Sequence, residues 1–348
     1  MQIMHIMDGY QAGINLGGWI SQYRQYDIEH FNTFIQRKDI EQIALWGFDH
    51  IRLPFDYPVF EEDILPYQYK KDGFKYIDNC LSWCKEFGLN LILDLHRAPG
   101  YSFNSLKSNT LFQDEKQQDR LIKLWEAISR HYADERENLL FELLNEIVEP
   151  DSTRWNLLSK RLVAAIREID KERVIIIGGN NYNAVSELKN LDVLDDHRIV
   201  YNFHFYEPMV FTHQKAHWFE MTKLFNMEQN YPGKCTGVKE FCEKYPQFPW
   251  VKEMENVTMD KALLERYIQP ARDFLDKTGK PLYCGEYGAI EHAPAQDRIN
   301  WHKDFISIMK ELKIGRACWS YKLMNFSIVD SNSQVVSKEL VKVISVRQ

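Results

Sequence analysis

The sequence predicts an α/β fold, a (β/α)₈ TIM barrel with an inserted subdomain after strand six. Eight short β-prone runs alternate along the chain with segments of helical periodicity, the pattern of parallel strands joined by helices. The length of 348 residues suits a barrel of roughly 250 residues that carries insertions. Polar and aromatic residues cluster at the ends of the runs, where a barrel enzyme keeps its reactive groups.

The eight predicted strands are short runs dominated by apolar residues. Runs without polar alternation are typical of strands that are covered on both faces. Since eight such strands are enough to close one barrel, residues 1–348 are predicted to form a single domain. In chain order the runs are residues 13–16, 48–53, 90–95, 139–144, 173–177, 199–204, 282–285 and 317–320.

The segments between the runs carry apolar residues at helical spacing. Leu121, Leu124, Trp125 and Ile128 illustrate this pattern, with charged residues at many of the remaining positions. We expect the apolar face of such a helix to pack on the sheet.

The connection after strand six is far longer than one helix requires. Strand six ends near His204 and strand seven begins near Leu282, so residues 207–259 are predicted to be an insertion between strand six and its helix. The insertion is rich in aromatic residues and contains a Tyr-Pro-Gly turn at 231–233. Because it leaves the carboxyl end of a strand, it could line a cleft. A small satellite core is the alternative, and the two are compatible.

The composition narrows the class of protein. Hydrophobic residues make up 45% and charged residues 27%, which is ordinary for a soluble globular chain with a sizeable core. The 43 basic and 50 acidic residues give a net charge of -7 without a cluster of Lys and Arg, so nucleic acid is not an expected partner. No apolar run is long enough to span a bilayer, so we expect no membrane partner, and we expect a monomer.

The N-terminus and the cysteines indicate the cellular compartment in which the chain is expected. Residues 1–8 contain neither a basic leader nor an apolar stretch before a small-residue cleavage site, so no signal peptide is predicted. The chain is expected to be cytoplasmic as written, and secreted if a leader was removed. Six scattered cysteines are sparse for a disulfide framework, so free thiols are expected.

The residues at the strand ends are those that a sugar-binding cleft would need. Because the carboxyl ends of barrel strands meet at one face, these side chains are expected to form one site. Glu146 and Glu286 are the most informative, since two carboxylates from different strands facing one cleft are what glycosidic bond cleavage requires. The full set is Asn15, Arg52, His96, Asn145, Glu146, His204, Tyr206, Glu286 and Trp319.

Six motifs follow the order of the predicted strands. They are Ile51-Arg52-Leu53-Pro54, Asp94-Leu95-His96, Leu144-Asn145-Glu146, His204-Phe205-Tyr206, Gly285-Glu286-Tyr287-Gly288 and Trp319. On these motifs the chain resembles glycoside hydrolase family 5, also called cellulase family A, nearly from end to end. The resemblance implies a single catalytic (β/α)₈ barrel that acts as a retaining β-glycosidase on plant β-glucans or related polymers.

The resemblance also implies roles for the residues that match. Glu146 would be the general acid/base, with a raised pKa, and Glu286 the nucleophile that forms a covalent glycosyl-enzyme. Arg52 would keep Glu286 ionised, while His204 and Tyr206 would orient the two carboxylates.

The remaining matches imply contacts with sugar. Asn145 would bind the 2-hydroxyl, His96 another hydroxyl of the same ring, and Trp319 would offer a flat face for stacking. The substrate-binding set is Asn15, Arg52, His96, Asn145, His204, Tyr206 and Trp319.

Neither metal nor another cofactor is predicted. His213 and His217 are four residues apart, a spacing that could place two imidazoles on one helix face as metal ligands. A hydrolase of this type needs no metal, so we assign them no such role.

Two charged residues, Arg97 and Glu142, lie beside the motifs but are not assigned to the site. Arg97 stands where many family members have a second histidine, and it could bind hydroxyls or pair with an acidic neighbour. The sugar preference on the nucleophile side therefore stays open. Glu142, four residues before Glu146, is expected to point elsewhere and to be structural.

The leading interpretation is a retaining endo-β-1,4-glucanase that also cleaves mixed-linkage β-1,3/1,4-glucan. A mannanase, a xylanase or an exo-β-1,3-glucanase would share the same chemistry, because loop shape decides the substrate. A barrel that binds polysaccharide without cleaving it is an alternative of another class, and both glutamates with Arg52 argue against it. A barrel enzyme for a phosphorylated metabolite is a third possibility, disfavoured because no phosphate loop is evident near strands seven and eight.

Overall fold

A closed barrel of eight parallel strands forms the centre of the molecule in a computed structural model that describes residues 6–347. The strands are β1 Ala12–Asn15, β2 His50–Asp56, β3 Asn90–Ala98, β4 Leu139–Glu142, β5 Ile175–Gly178, β6 Ile199–Phe205, β7 Leu282–Tyr287 and β8 Gly315–Cys318. Their order around the barrel follows the chain, and β1 pairs with both β2 and β8 to close the ring. The predicted fold class is confirmed.

The strands end one to three residues before or after the predicted runs, and the differences at β3 and β4 matter at the site. The strand β4 stops at Glu142, although the backbone beyond it still donates hydrogen bonds, from Leu143 to Ile176 and from Asn145 to Leu95. The strand β3 is longer than predicted, because its last residues pair antiparallel with a two-residue strand, Tyr101–Ser102.

Helices surround the barrel and bury one face each. In the helix Glu115–His131, Leu121, Leu124, Trp125 and Ile128 are all fully buried, as their spacing predicts. The six helices of nine residues or more in the described chain are Arg37–Leu45, Lys71–Phe87, Glu115–His131, Thr153–Arg167, Lys261–Thr278 and Ala295–Leu312, and a shorter helix, Lys338–Ile344, follows them near the C-terminus.

The connection after β5 departs from the helical pattern. It contains a short helical segment, Asn180–Asn183, and a 3₁₀ helix, Val185–Asn190, in place of a long helix. Asn181, Tyr182 and Asn183 have φ values of 48°, 60° and 56°, in the left-handed region that asparagine tolerates better than most residues. This segment therefore forms a tight turn above the barrel.

The insertion between β6 and its helix consists of short elements. The helices Met209–Thr212, Glu220–Phe225 and Val238–Lys244 are joined by a 3₁₀ helix, Pro249–Met254, and by the antiparallel pair Gly233–Lys234 and Thr258–Met259. Its apolar residues, among them Phe211, Tyr231 and Phe241, belong to the same buried cluster as those of the barrel. The remaining short helices of the described chain are the α-helix Ile28–Thr33 and the 3₁₀ helices Tyr57–Val59 and Leu106–Ser108.

Two features bear on the environment of the chain. All six cysteines are free, as expected, and Cys284 and Cys318 are buried in the barrel. Within residues 6–347 none of the helices has the length and apolar character required to cross a membrane. The expected absence of a leader concerns residues 1–8, of which 1–5 lie outside the described range.

Candidate active site

Two glutamates converge at the carboxyl end of the barrel. Glu286 lies in β7, whereas Glu146 lies four residues beyond the last residue of β4, with a φ of 46° in the left-handed region. A carboxylate oxygen of each residue and a ring nitrogen of His204 lie within 4.8 Å of one another. The side chains are 13% and 6% exposed for Glu146 and Glu286, so both face a nearly dry site.

Strand register brings the supporting residues to the same level. Asn15 of β1 lies opposite Arg52 of β2, Asp94 of β3 lies opposite Glu142 of β4, and Glu286 lies opposite His204 of β6. Parallel strands thus stack a polar layer directly beneath the two carboxylates.

Arg52 is the centre of that layer and is fully buried. Its guanidinium donates twice to Glu142, from Nε to Oε2 at 2.7 Å and from Nη2 to Oε1 at 2.8 Å. Nη1 donates to Oε1 of Glu286 at 2.9 Å, and Nη2 lies 3.0 Å from Oδ2 of Asp94. One cation therefore serves three buried carboxylates, and a planar fork is the donor geometry that this requires.

Two asparagines complete the shell around Arg52. Both Asn15 and Asn145 accept from its guanidinium through Oδ1 at 2.9 Å. The amide nitrogen of Asn15 donates to backbone carbonyls, including that of Gly285 at 3.0 Å. By contrast, the buried Nδ2 of Asn145 has no hydrogen-bond partner among residues 6–347, so Asn145 keeps a donor available.

This geometry separates the predicted substrate-binding residues into two groups. Asn15 and Arg52 are fully buried and engaged with protein groups, so they lie beneath the site rather than in contact with a ligand. Asn145 is equally buried, but its Nδ2 lacks a partner among the described residues. His204 and Tyr206 contact the carboxylates, Nε2 of His96 lies 3.8 Å from Oε1 of Glu286, and Trp319 stacks on His96.

The two glutamates have different neighbours. Burial raises the pKa of Glu146 well above its ordinary value, and the nearby charge of Glu286 raises it further. Burial also raises the pKa of Glu286, but the charge of Arg52 and the hydrogen bond from the Tyr206 hydroxyl act in the opposite direction. Since like charges this close cannot both ionise easily, the proton belongs on Glu146.

Tyr206 and His204 hold the carboxylates in place. The Tyr206 hydroxyl donates to Oε2 of Glu286 at 2.8 Å. Nδ1 of His204 lies 3.0 Å from Oε1 of Glu146 and 3.7 Å from Oε2 of Glu286. Burial lowers the pKa of His204 well below its ordinary value, so its ring is neutral.

His96 and Trp319 form a wall on the nucleophile side. Their rings are stacked, with centroids 5.7 Å apart and an interplanar angle of 4°. Burial lowers the pKa of His96 to about 3, and its Nδ1 lies 2.5 Å from Oδ2 of Asp94. Gly17 packs on Trp319 so closely that an added Cβ would lie 2.6 Å from the indole, which makes glycine necessary at that position.

Several residues of the site were missed or underestimated from sequence. Glu142 is structural, as expected, but it lies beneath the site, where it also accepts from Asn202 at 2.7 Å. An acidic residue inside a buried run signals such a pairing, because an unpaired buried charge is costly. Tyr101 accepts from the amide of Val148 and donates to the carbonyl of Glu146, and no sequence pattern pointed to it.

Arg97 does not bond to an acidic neighbour, and the two histidines of the insertion do not form a metal site. The side chain of Arg97 is exposed, lies over the ring of Tyr57 at 5.6 Å, and makes neither a hydrogen bond nor an ion pair within the described chain. The helix that would align His213 with His217 ends at Thr212, so the metal-binding spacing is not realised. In the described residues, Glu146, His204 and Glu286 form the one close group of potential metal ligands.

The insertion reaches the edge of the site. The ring of His213 lies 5.0 Å from that of Tyr206 and 5.1 Å from that of Phe326, and burial lowers the pKa of His213 to about 4. The ring of Trp218 lies 6.4 Å from that of Phe326, and Trp218 is 47% exposed.

The chain is similar to known enzymes along its whole length. It is 52% identical over 342 residues to endoglucanase C of Acetivibrio thermocellus, covering 98% of this chain and 100% of the relative. It is 36% identical over 312 residues to cellodextrinase A of Ruminococcus flavefaciens, covering 89% and 85% of the two chains.

Solved structures agree on the fold. Endoglucanase Cel5A of Thermotoga maritima superposes with a TM-score of 0.77 at 24% identity, over 98% of this chain and 99% of that one. A hyperthermophilic endo-β-1,4-glucanase in complex with substrate gives 0.78 at 22% identity, over 99% of both chains.

The profile that describes the cellulase family, glycosyl hydrolase family 5, matches residues 8–325. The chain is therefore a glycoside hydrolase and belongs to the cellulase family, glycosyl hydrolase family 5.

Proposed function

We propose that the protein is a retaining endo-β-1,4-glucanase that cleaves β-1,4-glucan and mixed-linkage β-1,3/1,4-glucan. The observation that supports the proposal is the convergence of Glu146 and Glu286, which have carboxylate oxygens within 4.8 Å of each other. A retaining glycosidase needs its carboxyl groups about 5 to 5.5 Å apart, whereas an inverting one needs room for a water between them. The endoglucanase names of the relatives support the choice of substrate.

In the first step Glu286 attacks the anomeric carbon while Glu146 protonates the leaving oxygen. The carboxylate oxygen of Glu286 forms a bond to the anomeric carbon as the bond to the leaving sugar breaks. Arg52 and Tyr206 hold Glu286 ionised and aligned for this attack. Glu146 is protonated beforehand because burial and the charge of Glu286 raise its pKa.

In the second step water releases the sugar. Glu146, now ionised, takes a proton from water, whose oxygen attacks the anomeric carbon and displaces Glu286. The two inversions restore the β-configuration. The proposed steps require no metal or other cofactor, since Glu146 and Glu286 supply both the proton transfer and the nucleophile.

Three residues are proposed to hold the sugar that reacts. The unpaired Nδ2 of Asn145 would donate to the 2-hydroxyl, a bond that strengthens as positive charge develops on the ring. His96 would bind a neighbouring hydroxyl through Nε2, and Trp319 would present an apolar face to the pyranose. Asn15 and Arg52 would act by positioning these groups.

We further propose that residues 1–348 form one catalytic domain, that the protein acts as a monomer, and that the insertion 207–259 lines the cleft. The contacts of His213 with Tyr206 and the exposed ring of Trp218 support this assignment of the insertion. Trp218→Ala tests it: the KM for cellotetraose should rise. An unchanged KM for cellotetraose would exclude the assignment.

The proposed activity is tested by incubating the protein with carboxymethyl-cellulose, lichenan, laminarin, glucomannan and xylan and sizing the products. We expect oligosaccharides of mixed length from carboxymethyl-cellulose and lichenan. Faster cleavage of glucomannan or xylan, or release of glucose alone from laminarin, would replace the assigned substrate. No new reducing ends from any polymer would favour a barrel that only binds polysaccharide.

A further inference from the structure

Asn183 contacts the ring that lies between the two carboxylates. It belongs to the left-handed turn after β5, is fully buried, and has its Nδ2 3.2 Å from Nε2 of His204. The opposite ring nitrogen, Nδ1, lies 3.0 Å from Oε1 of Glu146. A continuous chain of contacts therefore runs from Asn183 through His204 to Glu146.

The turn is fixed in this position by the backbone. Ala184 forms a parallel bridge with His204, and the amide of Tyr182 donates to the carbonyl of Ile147, the residue after Glu146. Asn180 links the same two loops, accepting from the amide of Glu149 and donating to its carbonyl at 2.9 and 2.8 Å. The loops after β4 and β5 therefore hold Asn183 and Glu146 in one geometry.

The tautomer of His204 follows from these neighbours. The ring is neutral, so one nitrogen carries hydrogen and the other accepts. Nδ1 lies 3.0 Å from Oε1 of Glu146 and 3.7 Å from Oε2 of Glu286. The lone pair of an unprotonated Nδ1 would be repelled by the ionised carboxylate of Glu286. Nδ1 therefore carries the hydrogen, and Nε2 must accept from an amide N–H₂, which Asn183 supplies. Its buried Oδ1 has no partner among the described residues, so this bond is the polar contact that its side chain makes.

We infer that Asn183 is a positioning residue that fixes the Nδ1–H tautomer of His204 and thereby directs the acidic proton of Glu146 to Oε2. Because Oε1 of Glu146 accepts the N–H of His204, the acidic proton of Glu146 lies on the other oxygen, Oε2. Oε2 receives no hydrogen bond from residues 6–347, which leaves it free to protonate the leaving group. The inference rests on the proposed function of Glu146 as the acid.

The variant Asn183→Asp reverses the contact with little change in shape. Aspartate also tolerates the left-handed region, and its ionised carboxylate can only accept, so Nε2 must then carry hydrogen. If His204 is then neutral, its Nδ1 accepts the proton of Glu146 and withholds it from the substrate. If His204 becomes an imidazolium, its charge keeps Glu146 ionised. Acid catalysis is lost in either case.

The control is Asn181→Asp in the same turn. Asn181 has a φ of 48° and an exposed side chain, and it has no contact with His204. The control makes the same substitution and the same change of charge in the same type of backbone, but it leaves the His204 tautomer alone.

The test combines nitrogen NMR of the labelled imidazole with kinetics of the full chain. We expect a protonated Nδ1 and an unprotonated Nε2 in the unaltered protein and in Asn181→Asp, and a protonated Nε2 in Asn183→Asp. For Asn183→Asp, kcat/KM on cellotetraose should fall about 10²-fold, the scale of general acid catalysis. It should change little on dinitrophenyl cellobioside, whose leaving group needs no proton.

Two results would overturn the inference. One is a protonated Nε2 in the unaltered protein, which needs no variant to detect. The other is an equal loss by Asn183→Asp on both substrates, which would indicate a general structural defect. An unaltered protein that cleaves no glucan would instead refute the proposed function, and the NMR spectrum would still decide the tautomer.

Discussion

Arg52 donates from Nη1 to Oε1 of Glu286 over 2.9 Å, while Glu146 makes no ion pair with a lysine or arginine in residues 6–347. The two catalytic carboxylates that we propose are therefore unequal. The ion pair stabilises the charge on Glu286, whereas burial and that same charge favour the proton on Glu146. This asymmetry decides which glutamate acts as nucleophile and which as acid.

Replacing the acid should leave a defect that a small anion can repair. Glu146→Ala should lower kcat on cellotetraose by about 10⁴-fold, because neither protonation of the leaving group nor activation of water remains. With dinitrophenyl cellobioside the glycosyl-enzyme should still form, and added azide should restore turnover because it attacks without a base. The expected product, seen by NMR, is the β-glycosyl azide. Azide rescue that yields the α-product would assign Glu146 to the nucleophile position instead.

Replacing Arg52, the central cation, should destabilise the folded protein as well as inactivate it. Arg52→Met leaves Glu142, Asp94 and Glu286 buried without their cation, and breaking a buried ion pair typically costs about 3–5 kcal/mol of unfolding free energy. Urea unfolding measures the loss. Arg37→Met removes the exposed ion pair with Glu86 and should change stability little, because solvent screens such pairs. Equal effects of the two substitutions would contradict the role of Arg52.

The proposed acid should make the protein less stable as pH rises. Since burial raises the pKa of Glu146 in the folded state, the folded protein holds that proton more tightly than the unfolded chain does. The resulting stability is complete below the unfolded pKa of about 4.3 and is lost as pH rises toward the folded pKa.

Glu146→Gln removes this titration. Its stability relative to the unaltered protein should therefore be greater at pH 8 than at pH 5, as measured by urea unfolding at both values. Glu240→Gln, at an exposed position of the helix Val238–Lys244, serves as a control for the loss of one negative charge. A relative stability of Glu146→Gln that does not increase with pH would contradict the raised pKa.

The free amide of Asn145 should matter mainly when the sugar has a 2-hydroxyl. Asn145→Ala should lower kcat/KM on an aryl cellobioside by about 10²-fold, the usual cost of removing one donor that acts in the transition state. On the matching 2-deoxy substrate the loss should be much smaller, because the hydroxyl that Asn145 binds is absent. A loss of the same size on both substrates would show that Asn145 acts through Arg52 alone.

The barrel and much of its site were predictable because position along a strand determines position in the barrel. Once eight parallel runs were identified, Glu286, His204, Arg52 and Asn145 had to meet at the carboxyl face. Glu142 could be recognised as structural because a charge inside a buried run needs a partner.

Contacts that depend on loops could not be predicted in the same way. Asn183 reaches His204 only because three successive residues adopt left-handed conformations, and Tyr101 reaches Glu146 from a two-residue strand. Arg52 and Asn15 were expected to bind sugar because they lie at the ends of predicted strands, but their depth in the barrel depends on register and burial.

Trapping the glycosyl-enzyme tests the central claim most directly. A dinitrophenyl 2-deoxy-2-fluoro-cellobioside should react once, since fluorine destabilises the positive charge of both transition states while the good leaving group preserves the first step. After digestion, mass spectrometry should find the fluorocellobiosyl group on the carboxylate of Glu286. Attachment to Glu146, or to any residue other than Glu286, would contradict the account.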